Sequence, residues 1–149
     1  MHIWVDGDAC PRAIKEILFR AAERVKTHLT IVANRPMHTP RSPYLHSIKV
    51  PQGFDEADHR IVQMMEPGDL VVTADIPLAA AVVKKGAHAL GHRGEQFTEE
   101  NIRERLAMRD LMDQLRSTGM ETGGPATLGQ ADKQDFANGL DQLLTRYVK

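Results

Sequence analysis

The chain contains a single cysteine, Cys10, so it closes no disulfide on itself. It also lacks any long hydrophobic run. Even the apolar stretch that includes Pro77 to Val83 falls far short of the ~20 residues needed to cross a bilayer. The acidic Asp6 and Asp8 stand where a signal peptide would need its apolar centre, so a cytoplasmic protein with no membrane association is expected. An excess of one charge is missing as well. With 19 basic and 20 acidic residues the formal net charge is -1, far from the balance of an obligate nucleic-acid coat, and any such contact must be local. No internal repeat is visible, and no Cys/His pair stands at zinc-binding spacing. What remains is ordinary in bulk: 149 residues, 42% apolar and 26% charged, sufficient for one globular domain with its own core.

Along the chain, strand and helix signals alternate. The opening HIWVD is a short apolar run ending at Gly7, which reads as a buried strand. Pro11 suits the first position of a helix on which Ile14, Ile17, Leu18, Ala21, Ala22 and Val25 share one stripe. Leu29 to Ala33 repeats the strand signal. Residues 35 to 46 form a loop broken by Pro36, Pro40 and Pro43, and Ser47 to Val50 suggests another short strand. A helix from about Asp55 carries Ala57, Ile61, Met64 and Met65 on one face and stops at Pro67-Gly68. Leu70 to Ala74 is a continuous apolar strand. A helix from Pro77 through Lys85 is closed by Gly86, and Ala87 to Leu90 gives a last strand. The expected fold is therefore α/β, a mostly parallel sheet flanked by helices. Thr98 caps a long charged helix reaching about Arg116; residues 117 to 131 read as a flexible loop rich in Gly, Ser and Thr. A final amphipathic helix over 132–148 places Phe136, Leu140, Leu143, Leu144 and Tyr147 on one side. The core of the domain is expected over 1–116.

The chemistry is concentrated in aspartates. Asp6 ends the first strand and Asp75 follows the strand LVVTA; in a parallel sheet those carboxyl ends lie on one edge, where ligands bind. Asp8 follows Asp6 by two residues. Asp55 and Asp58, one helical turn apart, open a helix entering from the same direction. Converging carboxylates repel, so the cluster calls for raised pKa values or a multivalent cation. All-oxygen ligands favour Mg²⁺ or Mn²⁺ over Zn²⁺, and such ions suit phosphodiester chemistry. Simpler roles are also open: Asp55, Asp58 and Asp8 suit helix caps, and Asp69 suits a turn.

A basic partner to this edge is expected nearby. From Arg24 to Phe54 there is no acid, where the overall composition would place about four. Arg35 and Arg41, in the Pro-rich loop, and Arg93, after the last strand, are candidate phosphate-binding residues. Cys10 precedes a helix N-terminus but has no evident His partner, and a structural role fits it best. His59, beside Asp58, is expected to face solvent.

VDGDACP at 5–11, VAN at 32–34, TADIPLA at 73–79, RG at 93–94 and the TGGP and FANGLDQLL segments near the end closely resemble the YaiI/YqxD family of bacterial proteins, over essentially the whole chain. That family is similar to the PIN-like nuclease superfamily. The resemblance implies that Asp6, Asp58 or Asp55, and Asp75 with Thr73 coordinate Mg²⁺ or Mn²⁺. Where PIN domains often carry a further acid, Ile76-Pro77 stands here, and Asp8 is the candidate substitute. Gly7 replaces an alanine and is expected to loosen the turn. The reading is a metal-dependent phosphodiesterase, ribonuclease-like, in which Asp6, Asp8, Asp58 and Asp75 are catalytic and RNA or another nucleic acid is the partner. Two alternatives are a noncatalytic PIN-like module that binds RNA or protein, and a haloacid-dehalogenase-like phosphatase with Asp6 as nucleophile and Asp8 as acid/base.

Overall fold

The computed structural model of the chain describes residues 1–53, 55–120 and 127–148. In chain order its elements are β1 Ile3–Asp6, α1 Arg12–Val25, β2 Leu29–Ala33, β3 Leu45–Lys49, α2 Glu56–Met64, β4 Leu70–Val72, α3 Ile76–Lys84, β5 His88–Leu90, β6 Gln96–Phe97, α4 Glu99–Ser117 and α5 Gln130–Tyr147. The strands form one six-stranded sheet in the order β3-β2-β1-β4-β5-β6. The first five are mutually parallel and β6 is antiparallel to β5.

This is the α/β class the alternating signals predict. None of the described helices is long and apolar enough to cross a membrane. β1 is central, with Ile3, Trp4 and Val5 all buried, and side chains that alternate across its pleat fill two cores. Ile3 and Val5 face α1 and α5, together with Leu29, Ile31, Leu70, Val72 and Leu90. Trp4 faces the opposite way, with Val32, Val71 and Ala89, onto α2, α3 and the start of α4. The α5 side chains Phe136, Leu140, Leu143 and Leu144 are at most 5% exposed; burying each stabilises the fold by roughly 1.5–3 kcal/mol. Tyr147, expected beside them, is instead 42% exposed and stacks on His88 with ring centroids 4.3 Å apart.

Several boundaries differ from expectation for identifiable reasons. Pro11 is the N-cap of α1, in extended conformation, rather than its first helical residue. β4 ends at Val72; Thr73 still donates its N–H to the Leu90 carbonyl at 3.1 Å, while its side chain serves the site described below. The edge strand β6, only two residues long, has too little sequence for a period to show. The expected loop over 117–131 is trimmed at both ends, since α4 runs to Ser117 and α5 begins at Gln130; its residues 121–126 lie outside the described residues.

The connection between β2 and β3 carries the largest positional correction. It contains no helix, yet it joins parallel strands, so it must return to the amino edge of the sheet. Met37 packs against the core under α1 along the way, and the Tyr44 carbonyl accepts from the Leu29 N–H at 2.8 Å at the far end. Arg35 stays near the carboxyl edge. Arg41, three residues before Tyr44, is carried toward the opposite edge.

Candidate metal centre

The strand order reverses between β1 and β4, which lie side by side yet connect outward in opposite directions. A crevice opens at such a point outside the carboxyl ends. Asp6 stands on one side of it and the Thr73–Asp75 segment on the other.

Asp6 is held by Thr73, whose hydroxyl donates to a carboxylate oxygen at 3.0 Å. The Thr73 side chain is fully buried, and its oxygen also accepts from the Asp75 N–H at 3.0 Å. One oxygen of Asp75 then accepts from the Leu78 N–H at 2.9 Å, capping α3, with Pro77 in the first turn. Asp75 is thus a helix cap and a site residue at once, with its second oxygen outside the cap.

Across the crevice Asp55 precedes α2 with φ of +60°, a left-handed conformation that aspartate tolerates better than most residues. Its side chain makes no cap hydrogen bond, so the simple capping role does not apply. Its carboxyl lies instead near that of Asp58, one turn into the helix, where the two can share a hydrogen bond only while one is protonated. Asp55, Asp58 and Asp75 each offer an oxygen within 4.8 Å of the others.

The electrostatics follow from this crowding. Burial, followed by the charges of Asp6, Asp75 and Asp55, pushes the Asp58 carboxyl up to about 7. Burial also raises Asp6; the Thr73 hydrogen bond opposes the rise, and Asp75, Asp8 and Asp55 add to it. Four carboxyls therefore share one crevice with no basic side chain hydrogen-bonded to any of them among the described residues.

Asp8 is differently placed. Both its oxygens accept from the Asn34 N–H, at 3.1 and 2.9 Å, tying the turn after β1 to the end of β2. It neither caps α1 nor belongs to the three-carboxylate group. Gly7 does not loosen that turn. A Cβ there would stand 2.4 Å from Ile31 Cγ2, so the missing side chain is what lets β1 and β2 stay close before the chain turns. Cys10 is buried, and desolvation pushes its thiol up to about 12, which suits a packing role and not a nucleophile. His59 is exposed, as expected.

Of the candidate arginines, Arg35 is exposed beside Asn34 and Arg41 lies toward the other edge. Arg93 pairs with Asp132 at 2.6 Å, and Asp132 also accepts from the Gly129 N–H at 2.9 Å. The pair fastens the turn after β5 to the start of α5. Gly94 completes that fastening: its φ is +84°, and a Cβ would lie 2.3 Å from the Asp135 carbonyl oxygen.

Two groups of residues were not legible as functional or structural hubs. Asp69, expected as a turn residue, is buried and accepts from the His2 N–H, the Trp4 indole and the Glu66 N–H at 2.9 to 3.1 Å. Arg105, Arg109 and Arg116 of α4 line a cleft of about 420 Å³ that reaches Asp75. Their spacings of four and seven residues put them on one helical face, a signal the sequence did carry.

A family model described as an uncharacterized YaiI/YqxD family matches residues 4–146. A UPF0178 protein of Hahella chejuensis is 61% identical over 149 residues, covering 100% of this chain and 99% of its own. Another, of Aromatoleum aromaticum, is 62% identical over 148 residues and covers 99% of both chains. One from Syntrophotalea carbinolica is 60% identical over 148 residues, covering 99% of this chain and 100% of its own. No solved structure matches the chain. The matched span and these identities make the chain a member of the YaiI/YqxD family, also called UPF0178.

Proposed function

We propose that this chain is a PIN-like, Mg²⁺- or Mn²⁺-dependent phosphodiesterase that acts on nucleic acid, RNA foremost. The observation that carries the reading is the group of Asp55, Asp58 and Asp75 oxygens within 4.8 Å of one another, beside Asp6 in the crevice where the strand order reverses.

The residues fit such an ion. All donors are carboxylate oxygens, the preference of hard dications, and a bound dication would relieve the crowding that raises Asp58 and Asp6. Asp55, Asp58 and Asp75 would hold it, with Asp6 adjoining. When bound, the ion supplies Lewis-acid stabilisation of a phosphate oxygen and lowers the pKa of a coordinated water.

The chain's own contributions are positional. Thr73 fixes Asp6 and, through the Asp75 N–H, sets the start of α3. The Leu78 N–H pins one oxygen of Asp75. Asp58, which holds its proton up to about pH 7 without an ion, would release it on binding one. Asp8, tied by both oxygens to Asn34, supports the turn that presents Asp6; this placement disfavours its use as the acid/base of a phospho-aspartate mechanism.

Calorimetric titration with Mn²⁺ of wild type, Asp58→Asn and Asp75→Asn, with hydrolysis of bis(p-nitrophenyl) phosphate as the activity readout, tests the reading. Metal binding and hydrolysis in wild type, both lost in the folded variants, are expected. Wild type that neither binds Mn²⁺ nor cleaves the diester overturns it.

A further inference from the structure

Beside Asp75 lies the cleft of about 420 Å³, walled on one side by the Asp75 segment and on the other by α4, with Arg105, Arg109, Arg116, Met108, Met112 and the acidic Asp113. We infer that this cleft carries the sugar-phosphate backbone of a single-stranded nucleic acid to the acid cluster, with the three arginines facing its phosphates. The inference rests on the phosphodiester reading above and assigns phosphate binding to α4 in place of Arg41 and Arg93.

Charge complementarity is the first argument. A phosphate that approaches four crowded carboxyls needs cationic groups beside them, and α4 brings three guanidinium groups to the same cleft that Asp75 lines. The helical rise spreads Arg105 to Arg116 over ~16 Å, so they track an extended polyanion and not a single small anion. Their present partners are exchangeable. Arg105 pairs with Glu95 at 3.0 Å, Arg109 with Asp110 at 3.6 Å and Asp113 at 3.4 Å, and Arg116 with Asp113 at 3.0 Å. All three arginine side chains are about half exposed. Exposed pairs of this kind contribute little to stability, so phosphate oxygens can take over the guanidinium groups.

The second argument concerns the strand's form. Met108 is 53% exposed and shares the cleft with Met112. Thioether side chains deform around irregular apolar surfaces, which unstacked bases offer and a duplex hides. The second half of α4 holds no buried residue, so its apolar positions are kept for something other than the core.

The test is fluorescence anisotropy with a labelled single-stranded RNA twelve-mer, in Ca²⁺ and in EDTA, across a salt series. The proteins are wild type, Arg105→Gln/Arg109→Gln, and Arg24→Gln as a control at the far end of α1. Wild type is expected to bind. The double variant should bind at least about tenfold more weakly, with a log–log salt slope shallower by about 1.4. Arg24→Gln should match wild type. Unchanged affinity and slope in the double variant, no strand binding by wild type in either condition, or equal binding of the matching duplex each overturns the inference. Mn²⁺ titration of wild type separates the two readings. Intact metal binding without strand binding refutes the cleft alone, whereas strand binding through the arginines without any metal binding refutes the phosphodiesterase and leaves the cleft assignment standing.

Discussion

Asp58→Asn isolates the electrostatic cost built into the acid cluster. In the unfolded chain this carboxyl titrates in the ordinary range near 3.8, and in the folded protein at about 7. The folded state therefore holds the proton more tightly, so stability falls as pH rises between those two values and levels off above the higher one. The full difference corresponds to about 4 kcal/mol, at 1.36 kcal/mol per pH unit. Asp58 is only partly buried, and solvent screening leaves about 1–2 kcal/mol of that. Asparagine keeps the size and a hydrogen-bonding group toward Asp55 but carries no charge. Urea denaturation in EDTA should therefore show the variant about 1–2 kcal/mol more stable than wild type at pH 8, with the gap closing as pH falls toward 4. Mn²⁺ should invert the order. At a hundredfold excess over its dissociation constant it would stabilise wild type by about 2.7 kcal/mol and leave the variant unmoved. A variant no more stable than wild type at pH 8 in EDTA would refute the idea that the crowded carboxyls oppose folding.

Three further outcomes are expected. Thr73→Val removes the donor to Asp6 and the acceptor of the Asp75 N–H, so it should cost about 1–3 kcal/mol. Because Asp6 then titrates higher still, that loss should grow from pH 4 to pH 8 in urea melts, and Mn²⁺ affinity at pH 7 should fall. Gly94→Ala forces an alanine to φ +84° with its Cβ against the Asp135 carbonyl; a loss of about 2–5 kcal/mol is expected, seen as a lower urea midpoint. Cys10 should resist iodoacetamide at pH 8 in the native state and react once urea unfolds the chain, since burial raises its thiol to about 12.

Apart from β6, the element types along the first hundred residues were legible because most strands are short apolar runs and the helices carry a 3.6-residue stripe bounded by a cap or a glycine. Asp6 and Asp75 were placeable for a related reason: an acid directly after a buried strand in a parallel sheet has to lie at the carboxyl edge. Asp58 joined them through its one-turn spacing from Asp55. What the pattern could not show was how each acid is tethered. Asp8 and Asp6 are two residues apart, yet one is tied to Asn34 and the other to Thr73, across strands 26 and 67 positions away in sequence.

The chain by itself thus determined its parallel α/β character, its lack of disulfides, its family and the edge where its acids gather, since all of these follow from local periodicity, composition or recurrent short motifs. The tertiary structure alone decided which arginines face that edge. A helixless return carries Arg41 toward the far side of the sheet, Arg93 pairs with Asp132 of α5 while lining a cleft with Ala74 and Ile76 on either side of Asp75, and the packing of α4 beside α3 brings Arg105, Arg109 and Arg116 to Asp75. Such choices depend on contacts between segments distant in sequence, and no window along the chain contains both partners. The same holds for Gly7 and Gly94, whose missing side chains matter only because Ile31 and the α5 backbone occupy the space a Cβ would need.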